Sequence, residues 1–317
     1  MELARRLRPV SKAEAKASYE ELKALGCGGA SRFARTGLAC LDHFFLGHRL
    51  RAKTKKHISF ASAVKDKEIM GYLNEKIRKV RGKEPLMLAD ANRLDQRYGM
   101  FQLYYGTINQ FRPTEALRVY CTLQPRLGVL DFSAGWGGRC LAAMAYGVPY
   151  IGIDANTTLE KSYKEMVKTV EPAADVRLIF KPSETVDFSK FKYDLVFTSP
   201  PYFMLEEYRR MPAYGSKEGF LDVFFKPVVA AAWAGLKPGG HMALNMPREM
   251  YDAIKGELPP MWKRMGLPIA GRHASNAAAG RTIGIKNAGT RTEGIYIWRK
   301  PGGAATRKAP RALKIGS

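Results

Sequence analysis

Val129-Leu130-Asp131-Phe132-Ser133-Ala134-Gly135-Trp136-Gly137-Gly138-Arg139 is the stretch on which the reading of this chain turns. An apolar run ends in an acid, a glycine-rich turn follows, and a helical pattern then continues to residue 145. At such a strand-to-helix turn the backbone can approach a ligand closely, because glycine has no Cβ in the way. The GK[ST] ending of a P-loop is absent, and the glycines do not have the GxGxxG spacing of a dinucleotide site. Alone, the stretch is also compatible with an ordinary strand-to-helix turn.

The neighbouring sequence repeats the same alternation. Apolar runs at 128–132, 149–154, 176–180, 193–198 and 240–246 read as strands, with helical patterns at 157–170 and 218–235 between them. Thr157 and Glu160 have the spacing of a capping box that opens the first of those helices. Strands separated by helix-length segments imply crossover connections, hence an α/β fold with a doubly wound parallel sheet. Near the end, 282–286 and 294–299 read as two strands joined by a turn at Asn287-Ala288-Gly289. Upstream, 62–80 reads as one amphipathic helix, with Ile69, Met70, Leu73, Ile77 and Val80 along its apolar stripe.

Composition narrows the class of partner. The 317 residues carry 52 Lys and Arg against 29 Asp and Glu, a net charge of +23. A field of that sign concentrates polyanions, of which nucleic acid is the commonest. The dense basic run Arg49, Arg51, Lys53, Lys55, Lys56 and a later Arg281 are the candidate nucleic-acid contacts. A solvated helix face is the competing reading of the run. No stretch is long and apolar enough for a membrane span, and no basic amphipathic helix with an aromatic face argues for a membrane surface. The four cysteines show neither CxxC nor zinc spacing and read as reduced, mostly buried thiols. The N-terminus has no apolar segment of a secretory signal, so an intracellular protein is expected. The histidines form no ligand cluster, and no metal is expected. By composition the chain divides into a basic helical region over 1–95, an α/β domain over 96–300 and a basic, disordered tail over 301–317.

Two further motifs add chemistry. Asp154 ends the second strand, where an acid commonly accepts the ribose hydroxyls of a nucleoside. Ser199-Pro200-Pro201-Tyr202 follows the fourth strand. The two prolines end the ladder and stiffen the loop, holding Ser199 and its neighbouring carbonyls beside an aromatic ring. Such an arrangement suits a planar base, its amino group donating to oxygens while Tyr202 stacks on the ring.

Together these motifs resemble the S-adenosylmethionine-dependent amino-methyltransferases of nucleic acids, which share a Rossmann-like sheet. The resemblance covers roughly residues 100–300. It implies S-adenosylmethionine as cofactor, held by Asp131, Ser133, Gly135, Gly137 and Asp154. Asn109-Gln110-Phe111-Arg112-Pro113-Thr114-Glu115 is similar to the family's segment that closes over the cofactor, which adds Thr114. Ser183 and Glu184 stand where the family contacts adenine. Ser199, Pro200, Pro201 and Tyr202 correspond to the catalytic motif. Serine at its first position leans toward cytosine N4 over adenine N6 in DNA. The motif order is similar to the family's γ-like arrangement, yet the stretch after the catalytic motif is short for a target-recognition domain. RNA or a protein glutamine amide as substrate, and a nucleic-acid-binding protein that keeps the fold without catalysis, are the alternatives.

Overall fold

The computed structural model describes residues 2–30, 34–81, 94–202, 214–261, 263–265 and 293–302. Seven strands, β1 (Val129–Asp131), β2 (Tyr150–Ile153), β3 (Val176–Ile179), β4 (Leu195–Thr198), β5 (His241–Pro247), β6 (Lys263–Met265) and β7 (Glu293–Arg299), form one sheet in the order 3-2-1-4-5-7-6. Strands β1 to β5 are parallel, while β7 runs antiparallel between β5 and β6. The doubly wound α/β expectation holds. The strand order reverses between β1 and β4, so the carboxyl ends of these two strands flank the crevice where such sheets bind ligands.

Among the described residues, seven helices precede β1: α1 (Glu2–Leu7), α2 (Lys12–Leu25), α3 (Leu38–Arg51), α4 (Phe60–Ala63), α5 (Lys67–Arg81), α6 (Leu94–Tyr104) and α7 (Pro113–Leu123). Helices α8 (Gly138–Tyr146), α9 (Glu160–Val170), α10 (Lys226–Gly235) and α11 (Arg248–Ile254) follow among the strands. A π-helical stretch, Phe220–Phe225, leads into α10 within the helix read over 218–235.

Period-two alternation gives the sheet two apolar faces. Val129, Leu195, Phe197 and Ala243 enter one core; Leu130, Val196, Met242 and Leu244 enter the other. The first core is completed by Tyr19 and Leu22 of α2, Leu41 and Phe45 of α3, Tyr120 of α7 and Tyr163 of α9. The N-terminal helices therefore form part of the main domain's packing. A satellite core of Leu46, Leu50, Phe60, Leu73, Tyr98 and Phe101 gathers the helices from α3 to α6.

Several expectations need correcting. Cys27 and Cys121 are joined by a disulfide with Cα atoms 5.5 Å apart, tying the end of α2 to α7. Their separation of 94 residues hides the pairing from any spacing rule, and only Cys40 and Cys140 are buried free thiols. The helix read over 62–80 is two helices. Ser59 and Ser62 cap α4 reciprocally, and the Asp66 carboxylate accepts from the N–H groups of Glu68 and Ile69 to start α5. The Thr157–Glu160 capping box does not form. Asn156 caps instead, accepting from the Thr158 N–H at 3.2 Å, because its short side chain folds back on the backbone two residues on. The partner of β7 at the sheet edge is β6. Residues 282–289 of the expected hairpin, Arg281 and 303–317 of the tail lie outside the described residues. No helix among the described residues is long and apolar enough to cross a membrane.

Candidate functional site

The loop after β1 is held from below by charge. Asp131 is fully buried and accepts from Arg139 Nε at 2.7 Å, from the Tyr150 hydroxyl at 2.6 Å and from the Ser133 N–H at 3.3 Å. Arg139 also donates to the Ser133 carbonyl and lies 5.2 Å from the centre of the Phe111 ring. The turn is then pinned from α9, where the Tyr163 hydroxyl accepts from the Gly137 N–H at 3.0 Å. The same hydroxyl faces the Ala134 and Gly135 carbonyls, each at 3.0 Å. Gly135 and Gly137 both have left-handed backbone, at φ +61° and +79°. That conformation is costly for residues with a Cβ. At Gly138 a Cβ would meet the Phe111 carbonyl oxygen at 2.0 Å, so the segment before α7 is laid directly against the start of α8.

The eight residues expected around the cofactor separate into two groups. Ser133, Gly135, Asp154 and Glu184 are partly exposed and follow the carboxyl ends of β1, β2 and β3. A Cβ at Gly135 would touch nothing closer than 3.8 Å, so the space beside it is open. Thr114, Asp131, Gly137 and Ser183 are buried supports. Thr114 donates to the Ala34 carbonyl at 3.0 Å, and Ser183 donates to the Phe132 carbonyl beneath the loop. Gly137 makes room for α3, since a Cβ there would lie 2.8 Å from the Phe45 ring.

Asp154 accepts from the Gly135 N–H at 2.7 Å and the Asn156 N–H at 2.8 Å. Burial pushes its carboxyl up to about 6, against the two backbone donors, which pull the other way. Glu184 accepts from the Tyr214 hydroxyl at 3.1 Å through one oxygen; the other is buried with no hydrogen-bond partner among the described residues. Gln110 Oε1, in the segment before α7, is likewise buried and unpartnered among them.

The loop after β4 carries a polar cluster with one member that sequence reading missed. Asn245 of β5 donates through Nδ2 to Ser199 Oγ at 3.1 Å and to the Tyr202 hydroxyl at 3.0 Å. The two hydroxyls lie 3.3 Å apart, and Tyr202 donates to the Asn245 carbonyl at 3.3 Å. Parallel pairing places Thr198 opposite Leu244, which brings Asn245 beside Ser199. Within an apolar strand pattern, a single asparagine at the carboxyl end was the available signal. Pro200 is buried, Pro201 half-buried, and the Tyr202 ring packs against the second core. Phe111 meets Phe197 of β4 edge to face at 5.5 Å, so the segment before α7 packs on β4 as well as on the start of α8.

Of the candidate nucleic-acid contacts, Arg51, Lys53, Lys55 and Lys56 are exposed. Arg49 is not a surface group. It is 8% exposed and paired with Asp42 on the same face of α3, a pair to which Arg8 adds a bond at 2.5 Å. The run places Arg49 on the inner face of α3 and Arg51 on the outer.

No protein-family model and no curated protein sequence matches this chain. Among solved structures it is similar to TrmN from Thermus thermophilus, with 15% identity, 74% of this chain and 79% of that chain covered and a TM-score of 0.42. It is also similar to an S-adenosylmethionine-dependent O-methyltransferase from Thermotoga maritima, with 15% identity, coverage of 64% and 71%, and a TM-score of 0.40. A third is the 1,6-didemethyltoxoflavin-N1-methyltransferase of Burkholderia thailandensis with bound S-adenosylhomocysteine, at 10% identity, coverage of 59% and 76%, and a TM-score of 0.38.

Proposed function

We propose that this protein is an S-adenosylmethionine-dependent methyltransferase acting on an exocyclic amino group of a base in DNA, with cytosine N4 favoured over adenine N6. The observation that carries the reading is the Ser199–Tyr202–Asn245 cluster at the end of β4, set beside the glycine loop at the end of the adjacent β1. The chain's own groups fit the cofactor in kind. Asp154 is a carboxylate suited to ribose hydroxyls, and the buried acceptors on Gln110 and Glu184 lack donors among the described residues, which an ammonium and an adenine amino group would supply.

When bound, S-adenosylmethionine supplies a sulfonium methyl that an amine lone pair can take, leaving S-adenosylhomocysteine and one proton. An exocyclic amine is a poor nucleophile because its lone pair is delocalised into the ring. Ser199 Oγ and the Pro200 carbonyl would accept from the amine's N–H groups, favouring a tetrahedral nitrogen with its lone pair exposed. Asn245 donates to both hydroxyls and its carbonyl accepts from Tyr202, which fixes the cluster and leaves a second lone pair of Ser199 Oγ for the amine's N–H. The exposed Arg51, Lys53, Lys55 and Lys56 would meet phosphates. RNA is the second polymer to test, since basic side chains do not separate the two backbones.

Nucleoside mass spectrometry after incubating unmethylated DNA, and RNA in parallel, with the protein and S-adenosylmethionine tests this. N4-methylcytosine in DNA is expected, and Ser199→Ala should abolish it while cofactor affinity stays within a few-fold. N6-methyladenine would move the base, a product in RNA alone would move the polymer, and no product in either would overturn the reading.

A further inference from the structure

The basic loop after α3 does not stand alone. Lys56 Nζ lies 5.4 Å from the centre of the Tyr105 ring at the end of α6. Beside it, Tyr72 of α5 and Tyr104 of α6 meet edge to face at 5.5 Å. Lys76 Nζ sits 4.8 Å from the Tyr72 ring and 5.7 Å from the Tyr104 ring. Tyr72 is 37% exposed, one of the few large rings the described surface leaves open. Glu75, the nearest acid in sequence, pairs with Lys79 instead, and neither Lys56 nor Lys76 has an ion-pair partner among the described residues. Each lysine can therefore leave its ring for a phosphate without breaking a salt bridge. The uncovered face then accepts a base.

We propose that Tyr72 and Tyr104, with Lys76 over both rings and Lys56 over the neighbouring Tyr105, form a stacking platform for single-stranded DNA. The inference rests on the reading above for its choice of DNA, and it adds strandedness. Ring faces discriminate between strands and duplex: a duplex keeps its base faces inside its own stack, whereas an unpaired strand exposes them. Charge supports a polyanion, because the platform continues into the exposed Lys53, Lys55 and Lys56 on a protein of net charge +23. Position supports a substrate strand. From Tyr105 the chain runs through residues 106–110 to Phe111, which packs on Phe197 of β4 and on Gly138 at the start of α8, the helix that follows the glycine loop.

Fluorescence anisotropy on the full chain tests it, with a labelled mixed-sequence single strand, its duplex and the matching RNA strand. Changing Tyr72 and Tyr104 together to Leu should weaken single-stranded DNA binding by on the order of tenfold to a hundredfold. Duplex affinity should stay within about twofold, and Tyr→Phe at both positions should bind like wild type, since phenylalanine still stacks. A thermal melt checks folding. If the Leu pair fails to fold, Tyr72→Leu alone, at the more exposed ring, takes its place in the same comparison. Equal binding by wild type and the Leu variant, equal loss for duplex and single strand, a tighter and ring-dependent RNA complex, or no binding of single-stranded DNA at all would each overturn the platform. Ring-dependent binding without methyl transfer would sink the catalytic reading and keep the platform; methyl transfer without ring dependence would do the reverse.

Discussion

The loops that follow β1 and β4 occupy the carboxyl ends of adjacent strands, yet they are built from different chemistry. The first rests on a buried, fully compensated charge: Arg139 on Asp131, with Tyr150 and Tyr163 closing the remaining bonds. The second rests on neutral groups, one amide bridging two hydroxyls at 3.1 and 3.0 Å. A loop that must present fixed backbone to a ligand gains from saturated, desolvated bonds, because none has a better alternative. A loop that must exchange hydrogen bonds with an incoming amine needs hydroxyls whose protons can be redirected. Under the proposed function, the first loop would hold the cofactor and the second would receive the amine.

The largest expected effect comes from breaking the charge. Arg139→Met would leave Asp131 buried without its cation and should cost about 3–5 kcal/mol of unfolding free energy. Urea denaturation measures it; a loss below about 1 kcal/mol would mean that the ion pair does not anchor the first loop.

The next effect is one of pH. With its carboxyl lifted to about 6 from an ordinary 3.8, Asp154 is the charged acceptor only above that value. Affinity for S-adenosylhomocysteine, followed by calorimetry, should be flat above pH 6 and fall by about tenfold per unit below it. Asp154→Asn should remove the dependence, and an equally steep profile in that variant would assign it elsewhere. In the unliganded protein the sign reverses. The folded state keeps this proton between about 4 and 6 while the unfolded chain has released it, so Asp154's contribution to stability is full at low pH and lost as pH rises through that window.

The smallest effect belongs to the second loop. Asn245→Ala should lower stability by only about 0.5–1.5 kcal/mol while methyl transfer falls and cofactor affinity holds. A cofactor affinity that drops in step with transfer would show that the two loops are not separately held.

Much of the frame was legible in the sequence. The strands β1 to β5, the glycine turn at 135–138 and the acid at 154 are local patterns, and local patterns survive without knowledge of contacts. What escaped was of three kinds. Arg49 looked like its neighbours in a basic run, but helical phase turned it inward onto Asp42. Thr114, Asp131, Gly137 and Ser183 matched the motif by position while their side chains or missing Cβ serve packing. Asn245 carried no motif and owes its place to the pairing of β5 with β4.

The sequence by itself determined the α/β alternation, the turn chemistry and the net positive charge, since periodicity, glycine and net charge act over a few residues or over the whole chain at once. Tertiary structure alone decided which acids are buried and which stay partly exposed, which cysteines meet and which side chain joins Ser199 and Tyr202. Those outcomes depend on burial and on strand register, and register is set by packing between segments far apart in the chain.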